Sequence, residues 1–401
     1  MAAGPEVWQG AITEVLRGSR LAQPSDLMRV VNTAVHPLGI DIAIYLVDLE
    51  QRTLRALSEP GKPMPAPLPV DGTLAGRAFM TVSSLPAAAR PWRLWVPLLD
   101  GNERLGVLDV ALPDRFDPGD PVVRDGLELL AALVGHLVAT KGRYGDSLVR
   151  TRRSRPLSTA SELLRQLLPP STFATQQMVC SAILEPIYQI GGDAFDYAVD
   201  IDVARVAIFD AVGHSLHAGL TAAVALAAIR SARVAGHGLY AMARAADAAL
   251  TESFTDQRFV TAVLAEIDLV TGALRYLNAG HPPPVLLRGG KVVAALDRGR
   301  RMPLGLDDPA IEIAELPLES GDRLLFYTDG FTEARNERGE EFGLDRLIDF
   351  AERHAAAGLP VPETLRRLTH DVLAHQYGPL HDDATLLMVS WSAVDAREAL
   401  P

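Results

Sequence analysis

The sequence predicts an α+β protein with two domains. Its 401 residues are more than one hydrophobic core usually organises. Strand-like stretches outnumber helical ones between Val179 and Trp391, which is typical of a layered α+β sandwich. We therefore expect a smaller α/β domain over residues 1–140, connecting helices over 141–168 and an α+β domain over 169–395.

Composition limits the classes of function. The chain is 48% hydrophobic and 22% charged, an ordinary globular mixture, and its net charge of -12 argues against non-specific nucleic-acid binding. The single cysteine, Cys180, excludes an intrachain disulfide and predicts a small buried side chain in a reducing compartment. The N-terminal residues do not resemble a signal peptide, and no apolar stretch is long enough to span a bilayer. These features predict a cytoplasmic protein that binds neither nucleic acid nor membrane.

The first 140 residues predict a mixture of helices and strands. Helices are expected at 6–21, at 26–35 with Ser25 as N-cap, at 72–80 and at 122–140. Strands are expected at 42–47, 53–57, 94–98 and 105–111. Residues 58–70 are rich in proline, which predicts no regular structure there.

This order of elements resembles a GAF domain, a small sensory module. The resemblance depends on GTLAGRAF (72–79) and VPLLDGNERLGVLDV (96–110), although a PAS-like fold gives a similar pattern. It implies a pocket for a small-molecule or protein signal.

A basic segment, residues 141–156, follows the first domain. It is either a solvated linker or a signalling helix that couples the domains within a homodimer. Pro156 breaks a continuous helix there. Ser158 is then placed to cap a new helix that ends before Pro169.

The remaining sequence alternates between strands and helices. Strands are expected at 179–185, 203–209, 260–267, 273–278, 284–287, 323–328 and 384–391. Helices are expected at 217–235, 238–254, 343–355 and 361–377.

Aspartates stand at the ends of several of these strands. They are Asp193 after the first strand, Asp210 and Asp329 at strand C-termini, and Asp382 and Asp383 just before the last strand. Carboxylates held at strand ends suit Mg²⁺ or Mn²⁺, which take oxygen ligands and keep several waters. Several such ends at one edge predict a two-metal site that can bind a phosphoryl group and activate water.

The combination of segments resembles the PPM family of metal-dependent protein phosphatases, in its bacterial sporulation and stress-response branch. The matching segments are LLPPS (167–171), IGGDAFDY (190–197), IFDAVGHSLHAGL (208–220), FVTAVLAEIDLVTGALRYLNAGHPPPVLL (259–287), PLGL (303–306), LLFYTDGFTEARNERGEEFG (324–343) and HDDATLLMV (381–389). The resemblance implies an αββα sandwich that binds two Mn²⁺ or Mg²⁺ ions.

The resemblance also implies residue roles. The implied metal ligands are Asp193, Asp210 as the bridge, the carbonyl of Ala211, Asp329 and Asp382, with Asp383 as the alternative to Asp382. His214 is either a general acid or a loop hydrogen-bonding residue. Asp196 is expected to support the loop, while Asn278 and His281 are expected to brace a proline-rich turn. No arginine corresponds to the one that binds phosphate in eukaryotic members.

The implied function is a serine/threonine phosphatase acting on a phosphorylated STAS-type anti-sigma-factor antagonist, which would release a sigma factor. Three alternatives stay open. A pseudophosphatase would keep the fold and lose a metal ligand, yet every expected carboxylate is present. A GGDEF-type cyclase would match Gly191 to Phe195, except that Ala194 replaces the glutamate. A sensory scaffold would bind partners only.

Overall fold

The computed structural model describes residues 5–58, 63–88, 91–185, 188–189, 191–213, 215–309, 312–378, 380 and 382–393. The chain divides into two compact units, Met1–Pro156 and Leu157–Pro401. Within the described ranges, every helix is too short or too polar to cross a bilayer.

The N-terminal unit is built on one antiparallel sheet. Its helices are α1 (Pro5–Ser19), α2 (Leu27–Val35), α3 (Leu74–Thr81), α4 (Pro121–Lys141) and α5 (Asp146–Arg152). Its strands are β1 (Asp41–Val47), β2 (Thr53–Ala56), β3 (Leu68–Pro69), β4 (Leu85–Pro86), β5 (Trp92–Asp100) and β6 (Glu103–Leu112). The described strands pair in the order β3-β2-β1-β6-β5-β4. Helices α1, α2, α4 and α5 contribute to the core on one face, and α3 packs on the other.

Two expectations for this unit were wrong. Ser25 does not cap a helix, because Pro24–Asp26 form a 3₁₀ turn and α2 begins at Leu27. The proline-rich stretch contains the short edge strand β3, a position that tolerates proline. Of the two alternatives for residues 141–156, a solvated linker is disfavoured over residues 146–152, which form α5 and bury Leu148 in the core of the N-terminal unit.

The C-terminal unit contains two sheets. Its helices are α6 (Thr159–Leu167), α7 (Ser215–Val234), α8 (Leu239–Ser253), α9 (Asp329–Thr332), α10 (Leu344–Ala356) and α11 (Val361–His375). Its strands are β7 (Thr172–Ala174), β8 (Met178–Glu185), β9 (Asp193–Val199), β10 (Val203–Ala211), β11 (Val260–Asp268), β12 (Ala273–Ala279), β13 (Val285–Arg288), β14 (Lys291–Ala295), β15 (Arg300–Arg301), β16 (Ala314–Pro317), β17 (Arg323–Tyr327) and β18 (Ala384–Trp391).

The elements of this unit form four layers, which confirms the αββα prediction. One sheet has the order β15-β12-β11-β10-β9 with β16 on β12, and the other has the order β14-β13-β17-β18-β8-β7. A central apolar core, including Phe195, Ile208 and Phe326, joins the two sheets. A second core packs α6, α7 and α8 on the first sheet, and a third packs α10 and α11 on the other.

Two local predictions for this unit are confirmed. The Ser158 hydroxyl caps α6 by accepting a hydrogen bond from the amide of Ser161. Cys180 is fully buried in β8, where burial raises the pKa of its thiol and leaves it inert.

Candidate active site

Asp193 and Asp210 lie side by side on the first sheet. They are register partners on β9 and β10. The expectation that Asp193 follows a strand was wrong, because it is the first residue of β9. Antiparallel pairing nevertheless brings the start of β9 to the end of β10, so both carboxylates reach the same sheet edge.

Two hydroxyls from the other sheet orient Asp193. Thr328, which follows β17, and Thr385, in β18, each donate a hydrogen bond of 2.7 Å to Asp193 Oδ2. Asp193 is 1% exposed, so these bonds offset part of the cost of burying its carboxylate. Among the described residues, no donor reaches Oδ1, which leaves that oxygen available to a cation.

The carboxylate of Asp383 stabilises a loop and is not a suitable candidate metal ligand. Its Oδ2 accepts hydrogen bonds from the amides of Gly191, Gly192 and Asp193, at 2.5, 2.6 and 3.3 Å. A Cβ at Gly330 would lie 1.9 Å from the Asp383 carbonyl oxygen, so only glycine permits this approach. Asp383 therefore fixes the start of β9, and Asp382 is the better candidate ligand.

Asp382 and Asp329 complete the group. Asp382 is exposed, and its Oδ1 accepts a 2.9 Å hydrogen bond from the amide of Asp383. Asp329 begins the short helix α9, where burial and the charge of Asp382 raise the pKa of its carboxyl. Ala211 ends β10 as a buried residue whose amide donates to the carbonyl oxygen of Gly192.

Burial, and then mutual repulsion, disfavours ionisation of these aspartates. Burial, followed by the charges of Asp329, Asp382 and Asp383, raises the pKa of Asp210 to about 7. Burial and the charges of Asp210 and Asp383 raise the pKa of Asp193 well above its ordinary value. A group of acidic oxygens that disfavours its own ionisation in this way suits a divalent cation, which would relieve the repulsion.

The aspartate oxygens of this site suit cations that keep several water ligands better than cations coordinated by protein ligands alone. Across the described ranges, no three histidine, cysteine, aspartate or glutamate side chains stand close enough together to hold a metal ion. Mg²⁺ usually binds through one or two carboxylates and keeps several waters, so oxygens spread along a sheet edge suit it.

A further network supports Asp210 from β11. The Thr261 side chain hydrogen-bonds to Asp210, and Thr261 Oγ1 lies 2.8 Å from Nδ1 of His281. His281 is braced in turn by Asn278, whose amide donates to the His281 carbonyl at 2.9 Å. Burial lowers the pKa of His281 to about 3, so the ring is neutral. Asn278 and His281 thus brace the turn as expected, and they also position Thr261.

Other predicted residues fall elsewhere. Asp196 does not support the loop, because its buried carboxylate pairs with Arg230 and Arg233 at 2.6 Å each and holds α7 against β9. His214 lies outside the described residues, as do Ile190 and His381 of the matching segments.

The sequence analysis did not identify three threonines of the site, Thr261, Thr328 and Thr385. Thr328 and Thr385 could have been identified from the sequence, because each lies within two residues of a candidate aspartate, Asp329 or Asp383.

Metal-free protein is expected to lose folding stability as the pH rises from about 5.5 to about 7.5, by roughly 2 kcal/mol. The folded pKa of Asp210, about 7, lies above the ordinary 3.8, so the folded state retains a proton that the unfolded chain has released. Stability is therefore highest below this window and falls across it. Urea unfolding in EDTA at several pH values would measure the trend. An Asp210→Asn variant with the same pH slope would contradict the assignment.

Comparison with known proteins shows which family the C-terminal unit resembles. Residues 202–392 match the family model for Stage II sporulation protein E (SpoIIE). The C-terminal unit, which contains these residues, is similar to the SpoIIE family. We call this the SpoIIE unit, and it has the PPM phosphatase fold.

Individual relatives agree with this assignment. The chain is 22% identical over 264 residues to phosphoserine phosphatase RsbU of Bacillus subtilis, covering 65% of this chain and 77% of RsbU. It is 25% identical over 262 residues to protein IcfG of Synechocystis, covering 58% of this chain but only 41% of IcfG. The solved SiaA-PP2C domain of Pseudomonas aeruginosa aligns with a TM-score of 0.50 and 25% identity, covering 64% of this chain and 100% of that domain.

Proposed function

We propose that the whole chain is a metal-dependent phosphatase that hydrolyses phosphoserine or phosphothreonine on a regulatory protein. The observation that carries the proposal is the set of aspartates at one edge of the two sheets, where burial and the neighbouring carboxylates raise the pKa of Asp210 to about 7. Such a set has little structural value without a cation. Asp193, Asp210, Asp329, Asp382 and the carbonyl of Ala211 would hold two Mn²⁺ or Mg²⁺ ions.

Some side chains of the site would bind the metals, and others position the metal-binding aspartates. When bound, the cations would polarise the phosphoryl oxygens and lower the pKa of a coordinated water. Asp210 would lie between the two ions, held by Thr261. Thr328 and Thr385 keep Asp193 Oδ2 occupied, so that Oδ1 faces the site. Asp383 fixes the loop that leads into β9. His214 would protonate the leaving group.

The substrate and the regulation belong to the same proposal. Similarity to RsbU, named a phosphoserine phosphatase, supports a substrate in sigma-factor regulation, which we propose to be a phosphorylated STAS-type anti-sigma-factor antagonist. The N-terminal unit would be a GAF-like sensory domain that senses a small-molecule or protein signal and controls the SpoIIE unit within a cytoplasmic homodimer.

A catalytically silent, partner-binding role is the second candidate. It is favoured by the lack of a preformed three-ligand group among the described residues. It differs from the phosphatase in predicting no turnover with any metal.

The test is hydrolysis of p-nitrophenyl phosphate by the full chain and by residues 157–401, each with Mn²⁺, Mg²⁺ or EDTA. The phosphatase proposal predicts turnover with metal and none in EDTA. It predicts different rates for the two proteins, because the N-terminal unit controls the SpoIIE unit. The absence of turnover in both proteins would support the silent role. Equal rates and an unchanged oligomeric state would contradict the regulatory part alone.

A further inference from the structure

The N-terminal unit contains a pocket of about 250 Å³ between β2 and α5. Its lining residues are Arg55, Ala56, Ser58, Met64, Ser147, Arg150 and Thr151. The pocket therefore joins the sheet to the last helix of this unit. Its volume is small for a ligand site and suits a metabolite rather than a peptide.

Two arginines line this pocket without a side-chain partner among the described residues. Within the described part of the chain, neither Arg55 nor Arg150 makes a side-chain hydrogen bond or an ion pair. Their neighbours in the sequence differ, because Arg152 donates to the carbonyl of Val47 at 3.0 Å and Arg155 pairs with Glu50 at 3.7 Å. Two arginine side chains that line one small pocket carry like charges, and a bound anion would reduce the repulsion between them.

Two acids in the turn between β1 and β2, Asp48 and Glu50, bind groups outside this pocket. Asp48 accepts hydrogen bonds from the amides of Arg52 and Thr53, at 2.8 and 3.2 Å. Glu50 is occupied by Arg155 and by the hydroxyl of Ser154 at 3.4 Å. Among the described residues that line the pocket, none carries a carboxylate.

The basic segment around α5, residues 141–156, adds to the positive charge of the two pocket arginines. Residues 141–156 carry a single acid, Asp146, within a chain whose net charge is -12. The basic side chains of the segment are Lys141, Arg143, Arg150, Arg152, Arg153 and Arg155. An anion approaching α5 therefore meets a local positive field on an otherwise acidic protein.

We propose that this pocket binds a small oxyanion ligand, a phosphate or a carboxylate, through Arg55 and Arg150. Guanidinium groups match both oxyanions with paired N–H donors, and the hydroxyls of Ser58 and Ser147 add further donors. Ala56 and Met64 offer an apolar wall for the remainder of the ligand. Such a ligand would tie α5 to β2 at the end of the N-terminal unit. The inference deepens the sensory part of the proposed function, and it is tested by binding alone, so that its failure is distinct from a failure of phosphatase activity.

The test is calorimetric titration of the full chain with inorganic phosphate and, separately, with succinate, both in EDTA so that catalytic metal cannot bind them. Saturable binding of either probe is expected, and the preferred probe identifies the oxyanion class. Arg55→Gln and Arg150→Gln should each weaken binding about tenfold or more, because each removes a charge-assisted hydrogen-bond donor. Arg143→Gln removes the same charge from the same segment, outside the pocket, and should bind as wild type does.

Three results would overturn the inference. They are no saturable binding of either probe, unchanged affinity in both pocket variants, and an equal loss in Arg143→Gln, which would indicate a diffuse charge effect. Asp210→Asn serves as a further control, since a loss of binding in that variant would place the anion in the SpoIIE unit instead.

Discussion

Replacing Asp210 with asparagine is expected to abolish metal-dependent hydrolysis of p-nitrophenyl phosphate. Asp210 ends β10 beside Asp193 and is affected by the charges of Asp329, Asp382 and Asp383, so it occupies the centre of the group. An amide cannot supply the negative charge that two cations share. Loss of a residue that merely supports a metal ligand costs about 10–100-fold, so removing the bridging ligand should cost at least about a hundredfold.

The matched control for this variant is Asp202→Asn. Asp202 is exposed in the turn between β9 and β10, and the change is chemically identical. It should leave both hydrolysis and metal binding at wild-type levels. Hydrolysis by Asp210→Asn that remains close to the wild-type rate would show that Asp210 does not bridge the metals.

Replacing Asp383 with alanine is expected to lower the free energy of unfolding of the C-terminal unit by about 3–5 kcal/mol. The change removes the acceptor of three buried amides, those of Gly191, Gly192 and Asp193. Asp383 is 7% exposed, so water cannot readily replace the lost oxygen. Urea unfolding in EDTA measures this effect without any contribution from metal.

The neighbouring variant, Asp382→Ala, separates the two roles. Asp382 is exposed and accepts one hydrogen bond from the protein, so its loss should leave stability in EDTA nearly unchanged. It should weaken metal binding and hydrolysis instead. If Asp382→Ala destabilised the unit as much as Asp383→Ala, or if Asp383→Ala lost activity with full stability, the two assignments would have to be exchanged.

The layered fold was predictable because its signals are local. The apolar run of β18 is buried throughout and that of β8 nearly so, and the Ala-rich stretch that forms α7 presents small side chains to β10. Where prediction failed, tertiary contacts or unusual turns decided the structure. β9 was missed because a Gly-Gly sequence precedes it, and a loop is the ordinary interpretation of that pattern.

The positions of the aspartates were predictable, but their individual environments were not. A carboxylate at the end of an apolar strand is visible in the sequence, as at Asp210. The choice between Asp382 and Asp383 depends on contacts about 190 residues away in the chain, which no local pattern reveals. The pairing of Asp196 with Arg230 and Arg233 is equally non-local, since it requires α7 to lie across β9.

Phosphate release from a phosphoserine peptide by the full chain, with Mn²⁺ or Mg²⁺ and then with excess EDTA, tests the central claim most directly. The account predicts release that requires the divalent metal, stops when EDTA is added and is absent in Asp210→Asn. Release that persists in EDTA or in Asp210→Asn would contradict a metal-dependent phosphatase built on these aspartates. So would the absence of release under either metal from both the full chain and residues 157–401.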